Sequence, residues 1–367
     1  MKKFFLLIVI ILIIGISFFA YNNNKVEIKE EKIESKDKVE EIEEKEILKN
    51  GLLIGEYKDL KRGEKITIKG EEGDNYIVIL EKEEILIPKD LIISFEFNDK
   101  EDYSLMIDVS EFNITSEKED VKFNDGIDFA EFIIKNKINY AYLRIGGRGY
   151  GKEGKMYNDD KVDIYIDVCE YLEIPYGFYF IEEALNEEEI IEEIEFINNI
   201  LAGKNLKYNK LPLAIDLENQ HGIGRTDNTW NNRTELINKF VEEFKKQEKE
   251  VILYANGARI ETYIKDANIK FWAAMYRKDD KLPQKWYKEM ILEEMKAIED
   301  NKVSLENSVL SIKINLSDTN TIKYSEEYLD KVIAWQFTED GAKDDNINKH
   351  IDLSIVNNNH FKKYLEK

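Results

Sequence analysis

Four acidic residues stand where extended runs of the chain end. Asp108 closes Met106-Ile107-Asp108-Val109, and Asp216 and Glu218 close Ala214-Ile215-Asp216-Leu217-Glu218. Asp352 lies in His350-Ile351-Asp352-Leu353, just after the last such run. Alternate residues of a strand share a face, so Asp216 and Glu218 are expected to project together. Carboxylates gathered in one cleft disfavour each other's ionisation, which separates their proton affinities. One can then donate a proton while another stays anionic, the division of labour used to cleave a glycosidic bond. The competing reading is that each acid caps a helix or holds an arginine, which four strand-end acids fit less well. Tyr150, Tyr179, Tyr254, Trp272, Tyr276 and Trp335 recur in or just after the same runs. Flat rings with a polar handle suit sugar faces; core packing accounts for part of such a set.

The elements that must position these residues follow a simple rhythm. Apolar runs at Leu105–Val109, Tyr140–Ile145, Tyr176–Ile181, Leu211–Leu217, Val251–Asn256, Phe271–Tyr276 and Ile333–Thr338 read as strands. Between them, 127–137, 159–173, 186–202 and 232–249 carry the i, i+3, i+4 apolar spacing of amphipathic helices. Such alternation predicts an α/β fold with a parallel sheet covered by helices. Seven or eight repeats over this length suit a closed (β/α) TIM-like barrel better than an open sheet, with chemistry at the C-terminal strand ends. An open doubly wound sheet is the alternative, but no Gly-x-Gly-x-x-Gly follows the first strand. The stretch 279–331 reads as an insertion, with a helix around Trp286–Ile298 and a strand-like Val309–Leu316.

Three segments precede the barrel. Lys2 and Lys3 introduce an uninterrupted apolar run from Phe4 to Tyr21, close to the ~20 residues that span a bilayer. With no small-x-small cleavage site and no cysteine nearby, residues 1–24 read as an uncleaved anchor with its N-terminus inside. A cleaved signal peptide is the alternative, and both place the remainder outside the cytoplasmic membrane, in the cell envelope or secreted. Residues 25–49 are dense in Glu and Lys and read as a solvated spacer. Residues 50–95 change to short alternating runs punctuated by Gly63, Gly70 and Gly73, predicting a small antiparallel β-barrel.

Composition narrows the function classes. The chain has 367 residues with 53 basic and 75 acidic side chains, a formal charge of −22. Of this, −15 falls from Leu105 onward. So acidic a surface argues against a nucleic-acid partner, because phosphate backbones are bound by basic footprints. One cysteine excludes an intrachain disulfide, and three histidines argue against a histidine-dominated metal centre. Cys169 sits on an apolar helix face and reads as core. His221 reads as a loop residue, and the glutamates of Glu182–Glu195 as a solvated helix face with Ile190, Ile191, Ile194 and Ile197 turned inward.

Taken in order, "MIDVSEFN", "YAYLRIGGRGYGKEGKMYNDD", "IPYGFYFIEEALNEEEIIEE", "LPLAIDLEN", "VILYAN", "FWAAMY", "IAWQFTEDG" and "IDLSIVN" resemble glycoside hydrolase family 25, the Chalaropsis-type lysozymes. The resemblance covers about 105–358, within a barrel domain read as 105–361. It implies a muramidase acting on peptidoglycan glycan strands, with no cofactor and no metal. Carried over, Glu218 would be the general acid/base. Asp216 would act as nucleophile or orient the substrate's acetamido group, and Asp108 and Asp352 would complete the acidic cleft. Tyr179, Tyr254, Trp272, Tyr276 and Trp335 would line sugar subsites. Tyr179-Phe180-Ile181 stands where many members have Tyr-His-Phe, and Asp352-Leu353-Ser354 replaces Asp-Leu-Asn. Residues 50–95 resemble bacterial SH3-like modules, which implies a binder of wall peptides; a packing domain is the alternative. Two rivals remain: an impaired barrel that scaffolds an envelope complex, and a hydrolase using the same acids as ligands for Mg²⁺ or Ca²⁺. The sequence sets no oligomeric state.

Overall fold

The computed structural model describes residues 48–96, 102–114, 123–218, 223–227, 229–230, 233–276, 282–300, 302, 324–341 and 351–366. The apolar run 4–21, nearly all of the charged spacer, His221 and the strand-like 309–316 lie outside the described residues. Among the described residues no helix is long and apolar enough to cross a membrane.

The first described element is a five-stranded antiparallel sheet. Its strands are β1 (Lys49–Leu53), β2 (Lys65–Glu72), β3 (Asn75–Leu80), β4 (Glu83–Pro88) and β5 (Ile92–Phe95), ordered β4-β3-β2-β1-β5. Period-2 alternation drives it: Ile66 and Ile68 are buried while Lys65 and Thr67 stay partly exposed. Together with Leu53, Val78, Ile87 and Ile92 they form a separate small core. Leu52 and Phe95 instead join the main core, so the sheet packs directly against the larger fold. Gly63 sits at that junction with φ +93°, and an added Cβ would lie 2.7 Å from Ile127. Only glycine meets both demands at low cost.

The larger fold is a closed eight-stranded barrel. Its strands are β6 (Tyr103–Val109), β7 (Ile138–Arg148), β9 (Tyr176–Ile181), β10 (Leu213–Asp216), β11 (Val251–Asn256), β12 (Lys270–Ala274), β13 (Val332–Thr338) and β14 (Asp352–Asn357). A short β8 (Met156–Asn158) folds back on β7. Pairing runs β6-β14-β13-β12-β11-β10-β9-β7, and β6 pairs with β7 to close the ring. Seven strands run parallel; β14 lies antiparallel between β13 and β6.

Helices cover the outside: α1 (Gly126–Lys135), α2 (Val162–Leu172), α3 (Glu187–Leu201), α4 (Arg233–Lys246), α5 (Tyr287–Glu299), α6 (Glu326–Lys331) and α7 (Asn358–Leu365). The starts of α1, α3 and α6 are capped by side chains that accept otherwise orphaned backbone donors. Asp125 accepts from Ile127 and Asp128, Asn186 from Glu189, and Ser325 from Tyr328. Between strands and helices lies the main core, which includes Cys169, whose thiol burial pushes up. Inside the ring a second apolar layer comprises Met106, Tyr140, Tyr142, Trp272 and Val356, with Phe361 of α7 against Tyr140.

Two sequence expectations need correction. β14 is a strand the apolar rhythm missed, so Asp352 opens the closing strand and does not trail the last one. Nor is the Glu182–Glu195 run wholly solvated: Glu182, Glu183 and Glu193 are buried while Ile191 is only partly so. Arg233 pairs with Glu182, Arg148 donates to Glu193 at 2.7 Å, and the Thr226 amide donates to Glu183 at 2.9 Å. Buried acids at these places are tolerable because partners replace the lost water.

Candidate active site

The mouth of the barrel is where the parallel strands end and antiparallel β14 begins. Asp108 and Asp352 are direct partners in the β6–β14 register, so a strand end and a strand start deliver two acids to one rim. Asp216 ends β10, and the Leu217 amide donates to the Tyr254 carbonyl at 3.0 Å, which prolongs the extended course by one residue. Leu217 is buried toward the helices. Glu218 therefore emerges on the same side as Asp216, one level higher, and is exposed.

These neighbours act on each other electrostatically. Asp216 is 6% exposed, and its Oδ1 is buried with no hydrogen-bond partner. Burial first, then the charges of Glu218, Asp108 and Asp352, holds its proton affinity well above the usual carboxylate range; Arg144 opposes them. The cleft thus pairs a buried carboxyl of raised proton affinity with an exposed one at the rim.

The aromatic residues divide by strand face. Tyr179 is partly exposed in the mouth, and Tyr276 is 43% exposed at its edge. Tyr254 is buried beside them, its hydroxyl donating to Gln336 Oε1 at 2.7 Å. Trp272 lies deeper, packed in the barrel interior against Tyr142 and Tyr254, with its indole N–H donating to Ser354 at 2.9 Å. It is a floor beneath the mouth and offers no open face. Trp335 is on the other side of the sheet altogether: fully buried among the helices against Tyr287, its indole N–H bound to the Met275 carbonyl at 2.8 Å. Both tryptophans, expected to line sugar subsites, are packed groups. Phe180 likewise faces outward against Phe196, so the apolar residue at that position leaves the mouth's polarity unchanged.

Sequence reasoning missed Gln336, although it lies inside a quoted motif. Its Nε2 donates to Asp108 Oδ2 at 3.0 Å, and its Oε1 also accepts from the Tyr276 hydroxyl at 3.0 Å. An amide offers both donor and acceptor at fixed positions, so one side chain orients an acid and two tyrosines. Arg144 was also missed. Buried at the top of β7, it holds Asp159 at 2.7 Å and Glu111 at 3.0 Å while facing Asp216 electrostatically. Tyr150 and Tyr157 complete this side, and the phenol of Tyr157 is pushed up to about 12, chiefly by burial. Among the described residues no group of three or more His, Cys, Asp or Glu is arranged to hold a metal ion.

None of the curated proteins compared with the chain matches it. The spore cortex lytic enzyme SleM of Clostridium perfringens is 19% identical, with a TM-score of 0.45 over 70% of this chain and 68% of that one. The modular autolysin LytC of Streptococcus pneumoniae is 18% identical, with a TM-score of 0.43 over 78% of this chain and 57% of that one. A lysozyme from Streptomyces coelicolor is 13% identical, with a TM-score of 0.40 over 69% and 93%. The family model of the glycosyl hydrolases family 25 matches residues 107–292, from the first barrel strand past all of the acids but Asp352. With half of its length under that model, the chain belongs to glycosyl hydrolases family 25 and is a glycoside hydrolase.

Proposed function

We propose that this chain is a peptidoglycan muramidase, hydrolysing the β-1,4 bond between N-acetylmuramic acid and N-acetylglucosamine. The observation that supports it most is the Asp216–Glu218 pair: two carboxylates on one face, one buried and of raised proton affinity, one exposed at the rim. Glu218 is the member a glycosidic oxygen can reach; with the pair's one proton passed to it from Asp216, it protonates the leaving sugar and then takes a proton from the attacking water. Asp216, behind it, meets the positive charge that develops on the sugar ring. Having passed its proton to Glu218, Asp216 is the carboxylate that acts as nucleophile or orients the acetamido group. Asp108, held by Gln336, and Asp352 keep the cleft negative around that charge.

The enzyme works outside the cytoplasmic membrane in this reading, attached through residues 4–21 or released from them. The five-stranded sheet is an SH3-like module that binds wall peptides. Its surface and the barrel are both acidic, so attachment to the wall depends on these segments and not on bulk charge.

Digestion of purified peptidoglycan by the full chain, with product ends identified by mass spectrometry, tests the activity. New reducing N-acetylmuramic acid ends that disappear in Glu218→Gln are expected. Intact wall with tight binding would overturn the enzyme in favour of a scaffold.

A further inference from the structure

At the end of the barrel opposite the acids, the charge of the chain reverses locally. A cavity of about 480 Å³ opens where β11 and β12 start, and residues of α4, α6 and α7 line its sides. Lys245, Lys249, Lys270 and Lys331 face it against one acid, Glu250, with Val251 and Ile269 as buried apolar lining. Glu250 is itself engaged by Lys363 at 3.0 Å. In a chain of formal charge −22 such a cluster needs a reason.

Two of the four lysines have a local one. Lys245 lies in the last turn of α4 and Lys331 ends α6, where a cation offsets the negative end of a helix. Lys331 is also fully occupied, donating to the carbonyls of Lys265 and Ala267 at 2.8 and 3.4 Å and to Glu327 at 3.0 Å. Lys249 and Lys270 sit on no helix: the first precedes β11 and the second opens β12. Lys249 donates to Asn198 Oδ1 at 3.0 Å and Lys270 to the Asp330 carbonyl at 3.4 Å. An ammonium carries three N–H donors, so each keeps donors to spare. Burial lowers the proton affinity of Lys249. That of His360 on α7 is lowered too, by burial first and then by the charges of Lys270 and Lys363. The local field is therefore positive despite the acidic surface around it.

We propose that this cavity is an anion site, in which Lys249 and Lys270 hold a phosphodiester group of a flexible polyol-phosphate strand. Lysine is a compact point charge suited to phosphoryl oxygens, whereas planar carboxylates are met best by the arginine fork. Among the described residues no arginine lines the cavity. Its volume suits one or two such groups and not a nucleic acid, which needs a broad basic footprint. A bending strand can enter a cavity, while the plane of a bilayer meets only what protrudes. The site lies at the opposite strand ends from Asp216 and Glu218, so it stands apart from the muramidase reading.

The test titrates the full chain, in micelles of a neutral detergent at low salt, with an oligomer of glycerol phosphate, read by calorimetry. Binding is expected. The double variant Lys249→Gln, Lys270→Gln should weaken it about tenfold or more, the scale of a lost charge-assisted hydrogen bond. Lys249→Arg with Lys270→Arg, the folded control, should retain it. No binding by the parent, equal binding by the Gln variant, or equal affinity for succinate would each overturn the site. Hydrogen-exchange protection at 249–252 and 268–270 caused by phosphatidylglycerol in the micelle, with none from the oligomer, would overturn the strand in favour of a membrane surface.

Discussion

Gln336 donates its amide to Asp108 across 3.0 Å, joining the seventh strand of the barrel to the first over 228 residues of sequence. Because a carboxylate only accepts, the amide orientation is fixed, and the opposite oxygen receives the hydroxyls of Tyr254 and Tyr276. A neutral side chain thus sets the geometry of an acid and two rings that border the mouth.

Gln336→Leu removes all three bonds in a buried place. Each stranded polar group costs about 1–3 kcal/mol, so the melting temperature should fall by several degrees. Activity on peptidoglycan should fall about 10- to 100-fold in protein that remains folded, on the scale of misplaced catalytic groups. Wild-type turnover in folded Gln336→Leu would show that the hub does not position the site.

Asp216 links the site to stability through pH. Burial and the Glu218 charge make the folded protein hold this proton more tightly than the unfolded chain, where the pKa is about 3.9. The folded state therefore binds more protons once pH exceeds that unfolded value, and stability falls as pH climbs from there toward the raised folded value. Asp216→Asn should flatten this dependence and raise stability near pH 7, while abolishing cleavage. Urea unfolding from pH 4 to 7.5 reads it; an unchanged slope would contradict the assignment.

Trp335 should behave as a core residue. Trp335→Ala is expected to cost about 3–5 kcal/mol by the cavity it leaves. Trp335→Phe, which keeps much of the volume but loses the bond to the Met275 carbonyl, should keep its KM for glycan strands at a lowered melting temperature. A raised KM with unchanged stability would instead return Trp335 to the sugar path.

The small sheet is fastened to the barrel at Arg62, which reaches Asp125, Asp128 and Glu131 at 3.3, 2.5 and 2.9 Å. These groups are partly exposed, so Arg62→Ala should cost only about 1 kcal/mol or less. Hydrogen exchange should rise at the β1–β2 connection and the start of α1, with cleavage of soluble glycan strands kept. Unaltered exchange there would mean that Leu52, Phe95 and the Gly63–Ile127 approach hold the sheet without it.

Local order was legible in the chain itself. Strands Tyr176–Ile181 and Val251–Asn256 fall where the apolar runs place them, because two-residue and 3.6-residue periodicities are properties of short segments. The shared face of Asp216 and Glu218 is of the same kind, needing only two alternate residues. Which face points into the barrel is different, since a strand buried on both sides is apolar on both and its alternation carries no label. Trp272 and Trp335 therefore read alike in sequence, yet one is a floor inside the ring and the other lies beneath helices. Asp352 was found as an acid, but that it opens an antiparallel strand opposite Asp108 depends on how the ring closes. The Gln336 amide carries no charge to flag it in sequence; only the folded ring sets Asp108, Tyr254 and Tyr276 around it.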